Sequence, residues 1–138
     1  MVWKGQVERA LKKYEKEGDR KSYAECLMVM GQLYHGIKKF EQAQDYYLSA
    51  LEIFKELLYD DGKLLAYYVI GLTNEELQKF TSAEEYYLTG LDLAKTRNDW
   101  EIAHEFALCL AHLYDLQGVE TKVNDFYLEA DSIKNSYL

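Results

Sequence analysis

The segment from Val29 to Lys55 returns forty residues later, from Val69 to Lys95. Identity falls at Val29/Val69, Gly31/Gly71, Lys39/Lys79, Phe40/Phe80, Ala43/Ala83, Tyr46/Tyr86, Tyr47/Tyr87, Leu48/Leu88, Leu51/Leu91 and Lys55/Lys95. A period of this size restricts the chain to an array of like supersecondary units, because each unit has an apolar face that only its neighbours can cover. Such an array is a solenoid, and solenoid surfaces mostly bind.

The units read as helical. Proline is absent and apolar residues recur three and four apart through most of the chain, with no competing strand pattern. The spacing predicts an all-α chain of about seven helices, near 2–16, 20–35, 39–57, 62–77, 80–97, 99–116 and 120–136. Breaks are expected at Gly18-Asp19, Gly36, Asp60-Asp61-Gly62, the polar stretch from Gln78 to Ser82, Asn98-Asp99 and Gly118. Gly and Asn accept the left-handed conformation that ends a helix, and Asp or Ser caps the start of the next.

Small residues recur for a mechanical reason. Gly31 and Gly71 on the first helix of a unit are expected to face Ala43 and Ala83 on the second, bringing the helix axes close, while Tyr34, Phe40, Tyr47, Phe80 and Tyr87 fill the space around them. Glycine inside a helix costs about 1 kcal/mol relative to alanine, so its return at the same place implies a packing gain. A third unit follows the scheme loosely, with Ala111 for the glycine, Val123 for the alanine and Phe126-Tyr127-Leu128 for the Tyr-Tyr-Leu triplet. Ala50, Gly90 and Ala130 stay small at one place on the second helix.

The run Gly31-x-x-Tyr34, Phe40-x-x-Ala43, Tyr47-x-x-Ala50 resembles the tetratricopeptide repeat. The resemblance spans nearly the whole chain, from residue 20 to 137. It implies antiparallel helix pairs stacked into a right-handed superhelix, an α-solenoid working as a protein-interaction module. Units of that family usually run about 34 residues and often end in proline; here both helices are longer and proline is missing. The start at Gly18-Asp19-Arg20-Lys21, echoed at Asn98-Asp99, is similar to the long variant found in peptide-sensing regulators of Gram-positive bacteria and in some eukaryotic scaffolds. The third unit departs at its loop, where Glu120 replaces Phe40 and Phe80.

This reading gives one array over 1–138: an N-terminal half-repeat or capping helix at 1–17, repeat 1 at 20–57, repeat 2 at 62–97 and a degenerate repeat 3 at 99–137. Val7, Ala10, Leu11 and Tyr14 match Tyr47, Ala50, Leu51 and Phe54, while Lys4, Glu8, Arg9, Lys12 and Lys13 form the opposite face. The last helix carries Asn124, Asp125, Glu129, Asp131 and Lys134 away from its apolar stripe. Polar outer faces keep an array soluble, so the module either stands alone or is cut from a longer array.

Charge narrows the partners. The net charge of -8 repels nucleic acid and anionic membrane, leaving basic or neutral proteins and peptides. The longest apolar run, Leu64 to Leu72, is nine residues, against the roughly 20 needed to span a bilayer. The N-terminus has no signal-peptide core, and a cytoplasmic protein is expected. Cys26 and Cys109 lie two repeats apart, too far for a disulfide, and are expected to be reduced, buried thiols.

In superhelices of the resembled family the first helix of each pair lines the concave wall. The expected groove set is Glu25, Met28, Gln32 and His35, then Leu65, Tyr68, Leu72 and Glu75, then Glu105, Leu108, His112 and Asp115. Its centre is apolar and its edges are acidic, and an exposed patch of this kind marks a contact site. Chaperone-tail binders of the family hold a C-terminal carboxylate with cationic and amide side chains, but the corresponding residues here, Met28, Gln32, Val69, Glu105 and Cys109, include no cation. A peptide or helix with apolar anchors flanked by Lys or Arg fits better.

Catalysis finds little footing. There is no glycine-rich phosphate loop, nucleophile elbow or Cys-x-x-Cys. His104 and His112, with Asp115, allow only a weak metal-site drawing, since zinc needs four converging ligands or three plus water. Adjacent acids such as Glu75-Glu76, Glu84-Glu85 and Asp60-Asp61 diverge around a helix. The expectation is a non-enzyme with no cofactor and no metal. Two rival readings stay open, a self-associating scaffold, for instance a homodimer through Trp3 or the groove, and the sensor portion of a peptide-responsive regulator.

Overall fold

The computed structural model describes residues 2–137, and its turns share one geometry. Seven helices follow one another: α1 (Val2–Glu17), α2 (Arg20–Gly36), α3 (Phe40–Glu56), α4 (Asp60–Glu76), α5 (Phe80–Thr96), α6 (Trp100–Leu116) and α7 (Glu120–Tyr137). Gly18, Lys38, Leu58, Gln78, Asn98 and Gly118 all take positive φ, between 52° and 72°. At each turn the next amide donates to a carbonyl five residues back: Asp19 to Tyr14, Lys39 to Tyr34, Tyr59 to Phe54, Lys79 to Asn74, Asp99 to Ala94 and Val119 to Tyr114, all within 2.8–3.0 Å. This closure satisfies the free carbonyls of a helix end and reverses the chain in a few residues. The forty-residue sequence period therefore contains two equal structural steps of about twenty, and consecutive helices run antiparallel.

The turn before α7 closes like the others, so Glu120 in place of Phe40 and Phe80 leaves its geometry unchanged. Helix α4 starts at Asp60, two residues before the expected 62. Carboxylates in a first helical turn meet the positive end of the helix dipole, and Lys63 pairs with Asp60 at 2.8 Å. Gly62 is helical and buried because the Phe54 ring lies over it; a methyl group there would stand 2.6 Å from that ring. Asp19 caps α2, accepting from the Ser22 amide at 3.1 Å and the Ser22 hydroxyl at 2.8 Å.

Packing within a unit centres each slot glycine on a tyrosine ring. A methyl group at Gly31 would lie 2.3 Å from Tyr47 Cε1, and one at Gly71 would lie 2.3 Å from Tyr87 Cε1. Each glycine is a slot for a tyrosine ring, and the rings are 1% and 0% exposed. Between units the same device appears twice, with Gly62 receiving Phe54 at 2.6 Å and Gly90 receiving Phe106 at 2.3 Å. One unit earlier the places of Gly90 and Phe106 hold Ala50 and Ala66, both fully buried. The resulting core is continuous from Ala24 to Ile133. Ion pairs join the two helices of a unit at Arg20–Glu56 and Arg97–Asp61 and successive units at Lys95–Glu129, on partly exposed side chains where each contributes little.

Candidate partner-binding groove

The first helices of the three pairs, α2, α4 and α6, border three clefts. The largest, about 510 Å³, lies between α4 and α6 and is lined by Asp61, Leu64, Leu65, Tyr68, Ile102, Glu105 and Phe106. A second, about 360 Å³, lies between α2 and α4 and includes Glu25, Met28, Val29, Gln32 and Leu65. A third, about 220 Å³, joins Gln32 and His35 to Val69 and Leu72. Leu65 belongs to the two larger clefts, so α4 is the ridge from which both are reached.

Among the predicted residues, Leu65 and Tyr68 are 47% and 36% exposed and meet Glu105 in the largest cleft. Leu72, His35 and Glu75 are half-buried; Glu25, Gln32, His112 and Asp115 are exposed. Met28 is only 4% exposed, which corrects its place on the open apolar stripe: it belongs to the floor of the α2/α4 cleft and to the core. Leu108 is half-buried against the core. Leu108, His112 and Asp115 line none of the three clefts.

Several lining residues were missed from sequence, among them Val29, Asp61, Ile102 and Phe106. Two carry a readable signal. Ile102 stands forty residues after Gly62, a departure from the repeat that adds an apolar side chain at the cleft. Phe106 stands where Ala66 stood, and the added bulk is matched by Gly90 replacing Ala50. The Phe106 ring meets Tyr68 edge-on at 6.3 Å and Tyr87 at 6.5 Å between centroids. It thereby props Tyr68 at the cleft.

Below this apolar surface lies a polar contact. Tyr87 donates from its hydroxyl to Glu75 Oε1 at 2.7 Å. Burial pushes the Glu75 carboxyl above its usual range, opposed by this hydrogen bond and by His112. Burial, then the charges of Glu75 and Glu105, raises the Cys109 thiol to about 12. A thiol held this firmly in its neutral form is a poor nucleophile. Among the described residues no three His, Cys, Asp or Glu side chains converge to hold a metal ion. At the rim, Arg97 donates to Asp61 at 2.9 Å, while Glu105 has no ion-pair partner among the described residues.

Comparison with known proteins agrees with this architecture. Two family models, each described as tetratricopeptide repeat, match residues 6–56 and 64–97, together more than half of the chain. The chain belongs to the tetratricopeptide repeat family, whose members are protein–protein interaction modules. Among solved structures it is similar to the crystal structure of BtubC (BKLC) from P. vanneervenii, with a TM-score of 0.81 and 21% sequence identity, over 95% of this chain and 55% of that one. At that identity the likeness concerns the helical-repeat fold, and this chain spans about half the length of that structure. No curated protein matches the chain. Among the described residues no helix is long and apolar enough to cross a membrane.

Proposed function

We propose that the protein is a non-catalytic module that binds a peptide or helical segment along α2, α4 and α6, with its main anchor in the α4/α6 cleft. The observation that carries this reading is the composition of that cleft. Leu65, Tyr68 and Ile102 offer an exposed apolar bed over the buried Phe106, and Asp61 and Glu105 stand beside it. A ligand with one aromatic or branched aliphatic residue next to Lys or Arg complements both features. The apolar anchor supplies most of the affinity, and the charges mainly accelerate encounter and select against acidic competitors.

Selection from displayed random peptides tests the proposal. Enriched sequences should share an apolar anchor with flanking cations. Tyr68→Ala should weaken their binding by about 2 kcal/mol, roughly thirtyfold, with helicity unchanged. A selection that enriches nothing, or an affinity indifferent to Tyr68→Ala in a folded protein, would overturn it.

A further inference from the structure

The two larger clefts follow one plan and share a wall. Leu65 and Asp61, both on α4, line each of them. Forty residues to either side of Leu65 stand Glu25 and Glu105, one on α2 and one on α6, each lining the cleft that its helix makes with α4. Both carboxylates are exposed, and neither has an ion-pair partner among the described residues. The cations nearby are engaged elsewhere. Arg97 holds Asp61 at 2.9 Å and Asp99 at 3.2 Å, Lys63 holds Asp60, and Lys21 lies 4.2 Å from the centre of the Tyr59 ring. Exposed Val29 gives the smaller cleft an apolar side, as exposed Ile102 does for the larger. Across the wall the order is therefore free carboxylate, apolar cleft, leucine ridge, apolar cleft, free carboxylate.

Geometry restricts what fills both clefts at once. The ridge between them is one helix wide, about 10 Å with its side chains. A ligand helix is itself about that thick, so laid along one cleft it leaves the other empty. In a β-strand, side chains on one face recur every second residue, about 7 or 13 Å apart, and miss the spacing. A polyproline II segment turns once every three residues at about 3.1 Å per residue, which sets like-facing side chains about 9 Å apart. We infer that the groove's ligand is an extended segment in the polyproline II conformation that crosses α4, with one apolar side chain in each cleft and a Lys or Arg outside each, one for Glu25 and one for Glu105. The two anchors stand about three residues apart. This rests on the groove reading above and names the form of its ligand: two anchors and two cations where a single cleft would ask for one of each. The clefts measure about 360 Å³ beside α2 and about 510 Å³ beside α6, so the larger takes an aromatic anchor against Tyr68 and the smaller an aliphatic one.

Fluorescence anisotropy with labelled peptides tests this. The probe is Lys-Leu-Pro-Pro-Tyr-Lys between glycine spacers, measured beside its reversed sequence because the groove fixes a chain direction, and the tighter of the two is carried forward. Replacing either anchor by Ser should weaken binding by about tenfold. A third proline between the anchors should do the same, because it turns one of them away from the groove. Glu25→Gln and Glu105→Gln, both with unchanged circular dichroism, should each cost about threefold. Removing one lysine from the probe should abolish the effect of one substitution and keep that of the other, which assigns each cation to its carboxylate. A single-anchor peptide that binds as tightly as the probe overturns the two-cleft ligand and leaves the groove reading standing. An affinity indifferent to the anchor spacing, to Glu25→Gln or to Glu105→Gln has the same consequence, as does a probe that fails where peptides selected from display bind. If neither the probe nor any selected peptide binds, both readings fall.

Discussion

Units one and two differ from unit three where a ring meets a glycine, and the difference shows what holds the array together. Tyr47 and Tyr87 disappear into the slots left by Gly31 and Gly71. At the equivalent place in α7, Tyr127 is 49% exposed. Two causes act together. Ala111 puts a methyl group where the ring would lie, and no described helix follows α7 to cover the ring's other side. The turns show the reverse pattern: glycine takes the left-handed position at the two ends, Gly18 and Gly118, while Lys38, Leu58, Gln78 and Asn98 take it between them. In the interior, glycines sit inside helices where the missing side chain admits a ring, and all turns but the one at Asn98 are made by residues that resist that conformation.

The largest effect should come from the rings themselves. Tyr87→Ala should cost about 3–5 kcal/mol, as for other large buried aromatics, whereas Tyr127→Ala at the same repeat position should cost below about 1 kcal/mol. Urea denaturation of both variants measures the contrast, and equal losses would break it. Next is the slot. Gly71→Ala should destabilise by about 1–3 kcal/mol through overpacking against Tyr87, even though alanine favours the helix by about 1 kcal/mol; a net gain would mean that Tyr87 yields cheaply and the slot is not what places it. The smallest effect belongs to the turns. Leu58, 79% exposed with φ 52°, should be improved by glycine, with Leu58→Gly gaining about 0.5 kcal/mol once the greater freedom of the unfolded chain is set against the relieved strain. An unchanged or lower denaturation midpoint would show that Leu58 makes contacts worth more than its strain.

Much of this was legible before the structure. The glycine spacing, the absence of proline and the forty-residue identities lead to seven helices with ends within a few residues of those observed. The twenty-residue half-period was hidden, because only Gly18, Asn98 and Gly118 carry a turn signature while lysine, leucine and glutamine take the same backbone elsewhere. The groove was harder to read. Helical phase placed Leu65, Tyr68 and Glu105 on a shared face, but phase alone does not say how deep a side chain lies, and Met28 sits beneath the surface. Ile102 and Phe106 are illegible from the repeat because they depart from it, standing where the previous unit has Gly62 and Ala66.

Local sequence determined what each segment becomes and how the segments alternate, since helix periodicity, left-handed turns and slot glycines act within one unit of chain. Tertiary structure decided which of the apolar side chains remain open to a partner. That outcome depends on how α6 seats on the array, where a ring from one unit enters a gap in the previous one: Phe106 against Gly90, residues that meet only once the helices are stacked.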